Sequence, residues 1–203
     1  MLTFEEGPHV YRYNGAVVPS VTQVLHGMVD YSHIDPAALE RAKKEGQAIH
    51  KMVELDILDE LEKLPKWLDG HYAAWQKFKR DKDFTPQGTE FRMYDPRLRV
   101  AGTLDLIGDM GQFAALALID LKRSLYAGAV IGLQLAGYKK LWNDTMVPLG
   151  HLRVRDRHAL VLRANGTYKL EPFPDESDEQ TFVACVMRHH WMTTHGKVEQ
   201  LAA

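Results

Sequence analysis

The sequence predicts an α/β fold in which a mixed central β-sheet is flanked by helices, with a small hairpin at the N-terminus. Three observations predict it. From Thr85 to Lys122 the apolar residues recur with a period of two, as in strands. On either side they recur at helical spacing, in AIHKMVELDI, WLDGHYAAWQKF and AVIGLQLAGYKKLW. Near the start, HVYRYNGAVV alternates around Asn14-Gly15, the strongest short-range hairpin signal. A chain of 203 residues with no linker, repeat or low-complexity segment is expected to form one domain, 1–203.

After the hairpin, Ser20 caps a short helix in VTQVLHGM that turns Val21, Val24 and Leu25 to one face. Asp35 caps a second helix with Pro36 at its first position, and the pattern runs on to Leu64 with a bend expected near Gly46. Ile49, Val53 and Ile57 form its apolar stripe. His50 and Glu54, four residues apart, project together from a neighbouring face. Taken alone, such a pair is more often a solvated contact than a ligand set. His26, His71, His189, His190 and His195 read as surface or capping residues. Pro65 opens a third helix whose Trp67, Tyr72, Trp75 and Phe78 make an aromatic face. Aromatics in a row can stack bases, but at helical spacing the commoner role is core.

TEFRMYDP, LRVAGTLDLIG and FAALALIDLK then read as three strands, with turns at Asp95-Pro96 and at 109–112. Glu90 either points towards the same sheet end as Asp105 or pairs with Arg92 or Arg99 at the surface. On the third strand Asp120 and Lys122 project together while Leu121 turns into the core. Two carboxylates and a lysine converging from neighbouring strands suit a divalent metal and a phosphate. Oxygen-rich ligands point to Mg²⁺ or Mn²⁺, a single histidine leans towards Mn²⁺, and no second histidine or cysteine stands at zinc spacing.

The following helix carries Gln134 and Tyr138 one turn apart. HLRVRDRHALVLR and GTYKLEPF read as two further strands joined through Asn165-Gly166. In the first of them Arg153, Arg155 and Arg157 alternate, which suits either a solvated edge strand or a phosphate-contacting face. A closing helix from Asp175 to His195 is expected to turn Phe182, Cys185, Val186 and Trp191 to the core.

The formal net charge of −2 argues against a protein that coats nucleic acid through global positive charge, though a local basic groove with a metal ion could still hold phosphates. The longest apolar run, 113–119, falls far short of the roughly 20 residues a membrane helix needs. MLTFEEGPHVY has no signal-peptide character, so a cytoplasmic location and no membrane contact are expected. One cysteine, Cys185, makes neither an internal disulfide nor an iron–sulfur cluster.

GQAIHKMVE, AGTLDLIG, ALIDLK and QLAGY together resemble the successive motifs of the RecB-like branch of the PD-(D/E)XK nucleases, in the same order and with compatible spacing. HVYRYNGAVVPSVTQVL and ALVLRANGTYKLEPF extend the resemblance to phage and prophage exonucleases over nearly the whole chain. It implies a restriction-endonuclease-like core and a metal-dependent deoxyribonuclease acting on DNA ends, single- or double-stranded, in recombination, replication or repair inside a bacterial host. A structure-specific endonuclease and a non-catalytic nucleic-acid-binding module are the alternatives. By the same resemblance His50, Asp105, Asp120 and the Leu121 carbonyl would bind Mg²⁺ or Mn²⁺, with Asp105, Asp120 and Lys122 catalytic. Gln134 and Tyr138 would orient the site and contact DNA, with Glu54, Glu90 and Arg123 as outlying candidates. The cysteine set of iron–sulfur relatives is missing. A recombinase or a single-strand-binding protein would be a partner, and a homo-oligomer would explain how a chain of this charge stays on DNA.

Overall fold

Strand β1 (Leu2–Glu5) pairs antiparallel with β2 (Val10–Tyr13), and β2 with β3 (Ala16–Val18), so the predicted hairpin gains a third strand. The computed structural model describes residues 1–30, 32–111 and 115–196; the predicted strand start at Phe113 and the turn residue Gln112 lie outside them. The small sheet packs through the stacked rings of Tyr13 and Tyr94 and a 2.7 Å hydrogen bond between the Tyr11 and Thr103 hydroxyls.

Helix α1 (Val21–Val24) begins with a full capping box, the Ser20 hydroxyl accepting from the Gln23 N–H while the Gln23 side chain accepts from the Ser20 N–H. Helix α2 (Pro36–Ile57) is capped by Asp35, as expected, but stops at Ile57 rather than Leu64; the Leu58 N–H closes it onto the Glu54 carbonyl. The next helix opens as a 3₁₀ turn, Lys66–Leu68, before α3 (Asp69–Asp81). Trp75 and Phe78 of α3 are fully buried, so the aromatic face is core; Trp67, at its start, is exposed. His71, expected at the surface, is buried and meets the Trp67 ring edge-on.

Five strands form the main sheet in spatial order β4 (Phe84–Asp95), β5 (Val100–Met110), β6 (Leu116–Leu121), β7 (Val154–Leu162) and β8 (Tyr168–Pro172). Among the described strands of this sheet, β6 and β7 are the pair that runs parallel, and α4 (Ala129–Thr145) forms the crossover between them. Asp109 lies inside β5 rather than in a turn. The mixed sheet with flanking helices is the predicted fold class. One face packs against α1, α4 and α5 (Ser177–His195) through Leu104, Leu118, Leu135 and Phe182. The other packs against α2 and α3 through Val53, Trp75, Leu106 and Ile119. Every residue of β6 is buried, as a central strand covered on both faces requires.

β7 is interior and not an edge, which corrects one of the two readings of its arginines. Arg157 is buried and bonds Gly132 O, Asp175 O and Asp178. On α5, Phe182 and Val186 enter the core, but Trp191 is exposed and stacks on His195 instead. Among the described residues no helix is long and apolar enough to cross a membrane.

Candidate functional site

The antiparallel register that sets Leu106 against Ile119 carries Asp105 on β5 to the level of Asp120 on β6. Asp105 is held by the main chain: its Oδ2 accepts from the Leu121 N–H at 2.7 Å, and Thr89 Oγ1 donates to its carbonyl oxygen at 2.9 Å. From the other side of the sheet comes α2. Burial of Ile49, Met52 and Val53 fixes that helix against β6, and His50 beside them reaches the strand end. Its Nε2 lies 3.0 Å from the Leu121 carbonyl oxygen and its Nδ1 lies 3.6 Å from Asp105 Oδ2.

Glu90 joins this group. It adopts a left-handed backbone conformation (φ 49°), which costs a non-glycine residue roughly 1–2 kcal/mol. One donor atom each from His50, Glu90 and Asp105 lies within 4.8 Å of the others. Of the two readings of Glu90, the one that sends it to Asp105 describes the structure. Arg92 pairs with Glu6 at 3.7 Å and lies over the Phe4 ring.

Behind this cluster stands a second one. Asp120 and Lys122 face α4, opposite in sense to Leu121, which is buried against the α2 and α3 layer. The Lys122 ammonium contacts Asp120 Oδ2 and donates to Gln134 Oε1 at 3.0 Å. Gln134 Nε2 lies 3.3 Å from both Asp120 Oδ1 and the Tyr138 hydroxyl. Gly102 makes room for Tyr138, since a Cβ there would stand 2.8 Å from its ring. Asp105, Asp120, Lys122, Gln134, Tyr138, His50 and the Leu121 carbonyl are therefore brought together. Glu54 stands at the rim, paired with Lys51 at 2.9 Å. Arg123 is paired with Glu45 of α2 at 2.7 Å, tying the loop after β6 to the histidine helix.

The electrostatics reflect crowding. Burial pushes Glu90 up to about 7, and Asp105 beside it acts in the same direction. Burial pushes Asp120 up to about 6 against the opposing pull of Lys122. At His50 burial acts downward, but Asp105, Asp120 and Glu90 outweigh it and the imidazole is raised. Burial holds the Tyr138 hydroxyl well above its ordinary range. Carboxylates forced together beside an imidazole and a carbonyl oxygen form a donor set that a divalent, oxygen-preferring cation would relieve, so the residues fit Mg²⁺ or Mn²⁺.

A cavity of about 490 Å³ opens over the acidic cluster, lined by His50, Glu90, Asp105 and Tyr138. Its remaining walls include His9 and Tyr11 from the small sheet, Ser20 and Thr22 at the start of α1, Lys43 of α2 and Thr103 of β5. Sequence reasoning singled out none of these walls for the site. No spacing signal links them, since they come from the small sheet, α1, α2 and β5 and meet in the tertiary fold. Neither a scan of protein-family models nor a search of curated proteins finds a match to this chain.

Proposed function

We propose that the chain is a Mg²⁺- or Mn²⁺-dependent exonuclease that hydrolyses phosphodiester bonds from DNA ends. In this reading it belongs to the RecB-like branch of the PD-(D/E)XK nucleases and works in the cytoplasm of a bacterial host in phage-type recombination, replication or repair. A strand-annealing recombinase or a single-strand-binding protein would be its partner. One observation carries the reading: Lys122 stands against Asp120 at a strand end, beside donor atoms of His50, Glu90 and Asp105 gathered within 4.8 Å.

His50, Asp105, Asp120 and the Leu121 carbonyl would hold the cation, with Glu90 as a further carboxylate. Bound there, the ion would supply the charge that draws in a scissile phosphate and makes water a better nucleophile. Hydrolysis joins a water oxygen to phosphorus and breaks the bond to the leaving sugar oxygen, which takes up a proton. Lys122 brings a fixed positive charge to the phosphate as negative charge grows on it, and losing one such group typically costs about 3 to 4 kcal/mol of barrier. Gln134 keeps Lys122, Asp120 and Tyr138 in mutual register. Asp105 and His50 are both positioned by Leu121 of β6, whose N–H donates to the one and whose carbonyl oxygen lies against the other.

End-labelled linear DNA and closed circular DNA incubated with Mg²⁺ or Mn²⁺ test the proposal. Nucleotides should be released from the linear substrate alone. Cutting of closed circles or flaps would reassign the chain to a structure-specific endonuclease. DNA retention with EDTA and no cleavage under any condition would leave a binding module.

A further inference from the structure

Arg153, Arg155 and Arg157 have separate fates. Arg157 is buried at 5% exposure, and its guanidinium bonds Gly132 O on α4, Asp178 on α5 and Asp175 O just before α5. It is a structural post. Arg153 and Arg155 are exposed, and at Arg155 the ladder slips: Leu116 pairs with Val154 and Ala117 with Asp156, leaving Arg155 without a strand partner. Its side chain is thereby displaced from the regular alternation.

These side chains border a trough. A cavity of about 440 Å³ is lined by Lys139, Arg153, Arg155, Arg157, His158 and Glu176. A second, of about 340 Å³, shares Lys139, Arg153, Arg157 and Glu176 with it, so the two adjoin. Among the described residues no ion pair engages Lys139, Arg153 or Arg155. Against these three cations stand Asp156 and Glu176; the buried charge of Arg157 is matched by Asp178, and in the second cavity Lys140 is held by Asp144 and Glu179. His158 Nδ1 is buried with no hydrogen-bond partner. The trough lies at the Val154 end of β7, whereas the candidate metal cluster lies where β6 ends beside Ala159 and Leu160.

We propose that this trough binds a run of phosphates, the backbone of a single-stranded nucleic acid, at a place separate from the metal cluster. Guanidinium and ammonium groups without internal partners are the groups that phosphate oxygens recognise. Two adjoining cavities that share Lys139 and Arg153 suit successive phosphates better than one isolated anion. The inference does not depend on hydrolysis at the cluster.

The test is fluorescence anisotropy with a labelled single-stranded oligodeoxynucleotide in EDTA, where metal-dependent cleavage is silent. The salt slope of log K should flatten by about 1.4 in the double variant Arg153→Ser/Arg155→Ser, at about 0.7 per lost single-strand phosphate contact. Arg153→Lys/Arg155→Lys should recover most of the slope, and unchanged thermal melting would confirm that both variants fold. An unchanged slope in the serine variant overturns the proposal. So does displacement of the oligonucleotide by inorganic phosphate at equal phosphate concentration, which would mark a single-anion site. Absence of nuclease activity leaves this measurement unaffected.

Discussion

His50 Nε2 on α2 lies 3.0 Å from the carbonyl oxygen of Leu121 on β6, a contact across 71 positions of sequence. The same residue donates its N–H to Asp105, so Leu121 alone aligns an imidazole and a carboxylate. Addition of Mn²⁺ is expected to raise the melting temperature, because an ion held at 100 times its Kd stabilises the native state by about 2.7 kcal/mol. His50→Ala should lose most of that shift. Thermal melts with Mn²⁺ and with EDTA make the comparison, and an equal shift in the variant would mean that the ion binds elsewhere.

Lys122 is expected to matter for turnover far more than for substrate binding. Lys122→Ala should lower nucleotide release from end-labelled DNA by roughly 10²- to 10³-fold, the usual effect of losing one preorganised charge at a reacting centre. Binding of the same DNA in EDTA should change little. Equal release from the variant would remove Lys122 from the mechanism.

Asp56 is a structural anchor. Its carboxylate accepts from Tyr72 Oη at 2.8 Å, Trp75 Nε1 at 2.6 Å, Gln76 Nε2 at 2.9 Å and Lys79 Nζ at 2.6 Å, joining the end of α2 to α3. Asp56→Ala should cost about 2 kcal/mol or more in urea unfolding, since hydrogen bonds to a charged group each contribute about 1.5–3 kcal/mol. Burial pushes the carboxyl up, but the bonds from Lys79, Trp75 and Tyr72 outweigh it and hold it below its ordinary value of 3.8. The contribution is therefore complete above that value and is lost as pH falls through the lower folded one. Asp56→Asn should remove this acid-side decline, and the same unfolding series between neutral and acid pH reads it.

Gly102 permits the close approach of Tyr138 to β5. A Cβ would stand 2.8 Å from the ring and 3.2 Å from Val21, so Gly102→Ala should destabilise by about 1–3 kcal/mol through overpacking. It should also reduce activity by shifting Tyr138 against Gln134. A melt and a nuclease assay on one preparation separate the two effects, and unchanged values in both would show that the ring yields freely.

Much of this protein was legible because it is local. Alternation in AGTLDLIG and ALIDLK specified two strands and set Asp120 and Lys122 on one face opposite Leu121, and the caps at Ser20 and Asp35 lie where the residue types demand them. Trp75 and Phe78 were legible as core from helical spacing alone. Trp191 and His71 were not, because periodicity states which residues share a face but not how much of that face a neighbouring element covers.

By itself, then, the sequence determined most of the elements, which residues share a face within them, and the residue types able to hold a cation beside a lysine. The tertiary structure decided which reading of Glu90 describes the molecule and removed the edge-strand reading of the β7 arginines. Glu90 turns to Asp105 through a left-handed backbone position, and Arg157 becomes a buried post because β7 is interior and α4 and α5 pack over it. The physical reason is that side-chain direction along one strand follows from local geometry, whereas strand order, register and the docking of the small sheet depend on contacts between residues far apart in the chain.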